Sequence, residues 1–359
     1  MCSARYRLAK PSRKRKFVMP APERHSRPDA RPDLPFEVVG LGESMVVIMP
    51  TDPVPIEAAE YFVARVGGAE SNVAMFLAEL GHRAAWLSRV GNDPFGRILL
   101  RHLADGGVDI GAVVTDDSTP TGVYFKDPQP ERTDVYYYRV GSAASCLDPT
   151  VLQSPVLAGA GVLHLSGITP ALSPGCRRLI ERAVFDRPLG ETLVSFDVNF
   201  RPALWTGDTP GPVLRELANA ADLVFVGLDE AERLWDVSEP CAVRALLPDP
   251  TTVVVKDGAV GATVVTRDGE MVFEPALRVR VVEPVGAGDA FAAGYISAYL
   301  RGRPEQQRLR MGHLVAAHAL AVTTDHTTLP QPTWFESHLV ATAQQWSGFE
   351  FGSLSGLGG

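Results

Sequence analysis

The sequence predicts an α/β protein with a mostly parallel sheet, helices on both faces, and a smaller sheet set off from it. Three observations lead there. From Phe36 onward, short apolar runs bounded by turn residues alternate with amphipathic stretches, as strands buried between two helical layers should. Two segments break that alternation and carry strand-like patterns with no helix between them. The chain has 359 residues, 45% hydrophobic and 21% charged, enough for one large domain with an appendage.

The elements follow in order. FEVVGLG (36–42) reads as the first strand, and SMVVIMP (44–50) with its neighbour 57–65 as strands outside the main sheet. GAESNVAMFLAELG (68–81) places Val73, Leu77 and Leu80 on one helical face and stops on Gly81. AAWLSRVG, VLHLSG, TLVSFDVN, DLVFVG and TVVVKDG are apolar runs fit for buried parallel strands. Helices are expected near 94–105, 174–186, 211–220 and 229–235. TGVYFKD (121–127) and TDVYYYRVG (133–141) form a hairpin about the polar DPQPER turn. With 44–66 it gives a lid built from about 44–66 and 119–141. A strand pair over 262–282, a helix after Gly286, and helices near 305–323 and 333–346 complete a domain running from 36 to 346.

Both ends read as tails. Residues 1–35 hold ten Lys/Arg against three acids, several prolines and no apolar periodicity, so they are expected to be disordered. The run Arg13-Lys14-Arg15-Lys16 is a candidate polyanion contact, and Met19 a candidate alternative start. The Gly/Ser-rich end, 347–359, is expected to fray. A formal charge of −8 argues against nucleic acid as the main partner. The tail has no apolar signal core, and no stretch reaches the ~18 apolar residues of a membrane span. Cys2, Cys146, Cys176 and Cys241 are scattered, with no C-x-x-C pair, which suits reduced thiols in the cytoplasm.

Several chemistries are excluded by motif. Gly40-Leu41-Gly42 follows a strand, but Met45 stands where a third glycine belongs and a strand follows instead of a helix, so the dinucleotide fingerprint fails. No G-x-x-x-x-G-K-[ST], H-E-x-x-H or G-x-S-x-G is present. What remains is PVGAGDAFAAG (284–294), where Gly286, Ala287 and Gly288 precede Asp289 and a run of small residues. Such a turn opens a helix, and its free N–H groups and dipole suit an anion. Asp289 as a simple N-cap is the plain alternative. In DVNFR (197–201) alternate residues share one strand face, so Asp197, Asn199 and Arg201 would line the end of a parallel strand, where ligands of such sheets bind. An Asp197–Arg201 ion pair is the structural alternative. The same rule puts Tyr137 and Arg139 on one face of the hairpin and Tyr136 and Tyr138 on the other, either into a site or into aromatic cross-strand packing.

Gly67-Gly68-Ala69-Glu70-Ser71-Asn72, Asp197-x-Asn199-x-Arg201, Lys256-Asp257-Gly258-x-x-Gly261 and the G-A-G-D stretch occur in the order found in the ribokinase-like (PfkB) sugar kinases. From 36 to 345 the chain resembles that family. VGGAESN, YYYRVGSAAS, LHLSGITPALSP and FDVNFRPALW are similar to its 2-keto-3-deoxygluconate kinases. The resemblance implies a ribokinase-like fold and transfer of a phosphoryl group from ATP, with Mg²⁺, to a sugar acid. It makes Gly286, Ala287 and Gly288 the cradle for the γ-phosphate and Asp289 the general base, kept ionised by the helix N-terminus. It maps the sugar onto Gly68, Asn72, Tyr124, Tyr137, Arg139 and Arg201, with lid Arg139 selecting the acid's carboxylate. It maps the nucleotide onto Glu230, Lys256, Gly258, Gly261 and Gly288, with Glu230 reaching the metal through water. Departures from the pattern are Gly227 for the Asn of an Asn-x-x-Glu motif, Thr324 for Gly and His313 for Asn. A monovalent cation beside the Gly286 loop and a homo-oligomer formed through the lid are further implications. The alternatives are a fructokinase or other sugar kinase of the family, or a sensor that kept the fold and lost the chemistry.

Overall fold

The computed structural model describes residues 36–129, 132–205, 209–282, 285–321 and 329–351. The basic tail, Pro284 and Thr324 fall outside them. The chain enters through β1 (Val38–Leu41), leaves the main sheet for β2 (Met45–Pro50) and β3 (Phe62–Gly67), and returns through α1 (Ala69–Glu79) to β4 (Ala84–Leu87). β5 (Arg89–Gly91), α2 (Pro94–Asp105) and β6 (Val114–Asp116) precede the hairpin of β7 (Val123–Pro128) and β8 (Thr133–Tyr138). Alternation then resumes with β9 (Val162–Ser166), α3 (Pro174–Glu181), β10 (Leu193–Asp197), α4 (Pro210–Asn219), β11 (Leu223–Gly227), α5 (Leu228–Trp235), α6 (Pro240–Leu246) and β12 (Thr252–Asp257). β13 (Gly261–Thr266), β14 (Met271–Pro275) and β15 (Arg278–Val279) lead to α7 (Ala287–Leu300), α8 (Glu305–Leu320), α9 (Pro332–Leu339), α10 (Ala343–Ser347) and β16 (Glu350–Phe351).

The main sheet has the order β14-β13-β12-β11-β10-β9-β1-β4. It is parallel from β12 to β4 and antiparallel at β13 and β14. Successive strand residues point to opposite faces and feed two separate cores. Val38, Trp86, Phe225 and Val254 pack under α1, α2, α7 and α8, while Val39, Leu163, Phe196 and Val224 pack under α3 and α4. The second sheet, β3-β2-β7-β8, combines two antiparallel hairpins joined by a parallel β2–β7 pair, as the two segments outside the alternation suggest.

Local expectations fail at five places. α3 stops at Glu181 and runs on as a π-helical turn to Asp186, and Arg187 with φ 49° ends it. The segment expected as one helix over 333–346 breaks into α9 and α10. Helix α6, opened by Pro240, was not expected, and AAWLSRVG divides into β4 and β5. The end does not begin to fray at 347: β16 pairs with β15, and Phe351 is buried against His318 at 4.4 Å between ring centroids.

Candidate active site

The strand register brings the chemistry together. Asp197, the last residue of β10, lies beside Ser166 of β9 and Phe225 of β11, and Gly227 at the end of β11 lies beside Lys256 of β12. A cleft of about 570 Å³ opens at these carboxyl ends, where ligands of open parallel sheets bind. The first turns of α1 and α7 and the β7–β8 hairpin, through Tyr124 and Tyr137, close its other sides.

Gly286, at φ 84°, takes the left-handed conformation that opens α7 at Ala287 and puts Asp289 in the first turn. The small residues that follow allow close packing, since a Cβ on Gly294 would stand 2.4 Å from the Met311 carbonyl of α8. Asn72 Nδ2, from α1, donates to Asp289 Oδ2 at 2.9 Å, and Asn199 Nδ2 lies 3.5 Å from Oδ1. Gly68 makes this possible: a Cβ there would lie 2.7 Å from the Ser44 Cα, so only glycine lets α1 start this close to the small sheet. The sequence expectation that the helix N-terminus keeps Asp289 ionised needs correction. Burial pushes its carboxyl up to about 7; the Asn72 hydrogen bond opposes this and the neighbouring Asp197 charge adds to it.

The ion pair of Asp197 is with Lys256 Nζ, at 2.8 Å, and not with Arg201. The strand ends at Asp197, and Asn199 turns out of it with φ 40°, so the period-two rule does not carry to Arg201. Arg201 is exposed on the cleft wall, its Nη1 donating to the Phe200 carbonyl at 3.2 Å. Lys256 is therefore in the centre of the site and not in a turn beside it. Burial works to lower its pKa, but the carboxylates of Asp197 and Glu230 prevail and raise it. Glu230 Oε1 accepts from the Phe200 amide and Oε2 from the Gly227 amide, both at 2.7 Å, and burial pushes its pKa up. With an amide already on each oxygen, Glu230 suits a water-mediated contact to a hydrated magnesium better than direct ligation. Among the described residues no group of three or more His, Cys, Asp or Glu is placed to hold a metal.

Gly258, at φ 47°, lines the cleft. Gly261 is not on the cleft wall: its Cβ would meet the Glu274 carbonyl at 2.5 Å, so it is glycine for the close approach of β13 to β14. His313 also belongs to the core, bonded from Nε2 to the Glu274 carbonyl at 3.0 Å and set edge-on to Phe291.

On the sugar side, Gly68, Asn72, Tyr124, Tyr137, Arg139 and Arg201 all line the cleft. Tyr124 and Tyr137 are cross-strand neighbours with ring centroids 5.4 Å apart, and Tyr136 and Tyr138 are exposed. Arg139, expected as a free lid cation, is instead buried and paired through Nη2 with the carboxylate of Glu43. Glu43 was missed in the sequence, as was Glu70. The latter is fully buried in α1 and accepts from Ser166 Oγ at 2.7 Å and Thr169 Oγ1 at 3.0 Å; burial pushes it up to about 7. Glu70 also accounts for Gly40-Leu41-Gly42. A Cβ on Gly40 would lie 2.6 Å from the Glu70 carbonyl, and one on Gly42 would lie 2.2 Å from its carboxyl carbon.

Comparison with known proteins agrees with this geometry. Residues 36–334 match the family described as pfkB family carbohydrate kinase. A 2-dehydro-3-deoxygluconokinase of Bacillus subtilis is 36% identical over 317 residues, covering 85% of this chain and 96% of the relative. One from Thermoproteus tenax is 34% identical over 313 residues, covering 85% and 95%. The crystal structure of a PfkB protein from Polaromonas sp. JS666, 35% identical, superposes with a TM-score of 0.73 over 81% of this chain and 98% of that one. With a family match over most of its length and relatives at 34% and 36% identity, the chain belongs to the pfkB family of carbohydrate kinases.

Proposed function

We propose that the protein transfers the γ-phosphoryl group of ATP to the terminal hydroxyl of 2-keto-3-deoxygluconate or a closely related sugar acid. The observation that carries this reading is a buried carboxylate, Asp289, at the mouth of a glycine-opened helix, facing a cleft that also holds arginine side chains. The activity named for the Bacillus subtilis and Thermoproteus tenax relatives supports the sugar acid.

In this mechanism the cleft binds the sugar with its terminal hydroxyl against Asp289. Asn72 and Asn199 hold the carboxylate's two oxygens in orientation. As the hydroxyl oxygen bonds to the γ-phosphorus, its proton passes to Asp289, the bridge to the β-phosphate breaks, and ADP leaves. The amides opening α7 and the Lys256 ammonium stabilise the charge on the transferring group, since phosphoryl transfer is chiefly positioning and electrostatics. Mg²⁺ arriving with ATP neutralises phosphate charge. Glu230 would meet its hydration shell, and Gly258 would let the β12–β13 turn approach the nucleotide. Arg201, exposed and outside the Asp197 pair, supplies the net positive charge for the sugar's carboxylate, and Tyr124 and Tyr137 flank the sugar.

Turnover of ATP-Mg²⁺ against a panel of sugar acids, fructose, ribose and nucleosides tests the reading. A kcat/KM for ketodeoxygluconate no higher than for fructose overturns it in favour of a fructokinase. Ligand binding without turnover, unchanged in Asp289→Asn, overturns it in favour of a sensor. Three further points belong to the same proposal. The β2-β3-β7-β8 sheet acts as a lid, and its exposed Tyr136, Tyr138 and Phe62 meet a second copy of the chain. The absence of a long apolar helix among the described residues supports action in the cytoplasm. A monovalent cation beside the Gly286 loop, if used, is read from dependence of kcat on added K⁺.

A further inference from the structure

Glu43 sits where the chain leaves the main sheet, between the end of β1 and the start of β2. Its side chain is fully buried and stands on the cleft wall. One oxygen accepts from Arg139 Nη2, and the other accepts from Ser142 Oγ at 2.6 Å. Arg139 and Ser142 lie just past the end of β8, where the chain returns from the small sheet. The carboxylate therefore grips both crossings between the two sheets, the outgoing one by its own backbone and the returning one by two hydrogen bonds. Space around it is tight: a Cβ on Gly122 would lie 3.0 Å from its Oε1, and one on Gly68 would lie 2.7 Å from its carbonyl.

The grip is one-sided on the guanidinium. Among the described residues, the hydrogen bonds of Arg139 are confined to Nη2, and Nε is buried without a partner. The guanidinium carbon stands 5.6 Å from the Tyr137 ring centroid. A guanidinium is a rigid planar fork, so fixing one nitrogen and one face fixes the direction of the others. An arginine on a hairpin end would otherwise spread over several rotamers and lose that order on binding.

We propose that Glu43 is a positioning residue for sugar binding: it holds Arg139 by Nη2, so that the free edge of the guanidinium is already aimed into the cleft when the sugar acid arrives. This rests on the reading of Arg139 as a sugar contact. The hydrogen bonds of the Glu43 carboxylate run to Arg139 and Ser142 and not to Asp289, Lys256 or Glu230, so its proposed effect on the sugar passes through Arg139.

A double-mutant cycle on the full-length enzyme tests this, using ketodeoxygluconate and ATP-Mg²⁺ with both KM values and kcat measured for Glu43→Gln, Arg139→Met and the double variant. Glu43→Gln keeps the shape and removes the charge-assisted bond. It is expected to raise the sugar KM about tenfold, with the ATP KM and kcat within about twofold, and to add less than about twofold in the Arg139→Met background. Equal effects with and without Arg139, or a sugar KM that stays unchanged or falls in Glu43→Gln, overturn the proposal. A fall would mean that Glu43 competes with the substrate for Arg139. If Glu43→Gln does not fold, Ser142→Ala replaces it in the same cycle, with a rise of about two- to fivefold that must vanish when Arg139 is absent. Arg139→Met alone is the control on the underlying reading: if it leaves the sugar KM unchanged, Arg139 is not a sugar contact and that reading falls first.

Discussion

In the proposed reaction the hydrogen bond from Asn72 to Asp289 tunes the pH at which the carboxylate can take the sugar proton, and Asn72→Leu removes it with little change in volume. In the wild type, burial holds the carboxyl at about 7 even with the Asn72 bond working to lower it. Because the base must be deprotonated to accept the sugar proton, kcat/KM is expected to be flat above that value and to fall about tenfold per pH unit below it. The bond is 2.9 Å long and ends on the charged form. Such bonds contribute roughly 1.5–3 kcal/mol, and one pKa unit corresponds to about 1.4 kcal/mol. Losing it should raise the acid limb by about one to two units, from about 7 to between about 8 and 9. At pH 7, where the wild-type carboxyl is about half ionised, the variant should then lose roughly five- to fiftyfold in kcat/KM through ionisation alone and recover much of it near pH 9. The assay is initial-rate ADP formation with subsaturating sugar acid across about pH 5 to 10. The recovery separates this effect from any lost sugar contact, which lowers the whole profile without moving its limb. A uniformly lowered curve with an unmoved limb refutes the reasoning.

Other outcomes follow from the same structure. Asp289→Asn should lower kcat by roughly 10²- to 10⁴-fold. It should also raise thermal stability at pH 8 as followed by circular dichroism. Holding a carboxyl at about 7 against an ordinary value of 3.8 costs folding energy that grows as pH climbs between those values, and the amide escapes that cost. Equal melting temperatures of the two proteins at pH 8 would count against the buried-base picture. Arg201→Met should raise the KM for a sugar acid about tenfold or more while leaving that for a neutral sugar within about twofold. Equal losses on both would show that Arg201 does not read the carboxylate. Glu37 supplies a stability test: burial works to raise its pKa, but the His82 hydrogen bond and the Arg83 amide overcome this and bring it down to about 2. His82 is itself pushed below its ordinary value by burial and donates to Glu37 as a neutral ring at pH 7. Glu37→Gln should therefore unfold at lower urea than wild type above about pH 4.5, and that gap should close as the pH falls toward 2. A gap as large at pH 2.5 as at pH 6 would refute the assignment.

What could be read from the chain and what could not divide along a physical line. The alternating strands and helices, the two helical layers and the glycine-opened helix are local patterns, and α7 begins where the glycines end. The state of each charged group depends instead on what lies opposite it, and those partners are distant in sequence. Asp289 meets Asn72 across 217 residues, and Arg139 meets Glu43 across 96. No periodicity signals that Arg139 is already paired with a carboxylate, or that burial raises the Asp289 carboxyl. Glu70 shows the same limit. A carboxylate in the first turn of a helix reads as a dipole partner on the surface, whereas here it is fully buried beneath Ser166 and Thr169. One signal was available: Gly40 and Gly42 face the same side of a strand, and two missing side chains on one side imply that something bulky is pressed there.

That pair of glycines controls more than packing. Glu70, which fills the space beneath Gly42, is two residues before Asn72 on the same helix, and Asn72 holds the base. The separation between the first strand and the first helix is thus a mechanical setting for the donor on Asp289. A single methyl group at residue 40, 2.6 Å from the Glu70 backbone carbonyl, would push the helix outward and read in an assay as damage to the carboxylate proposed as the base.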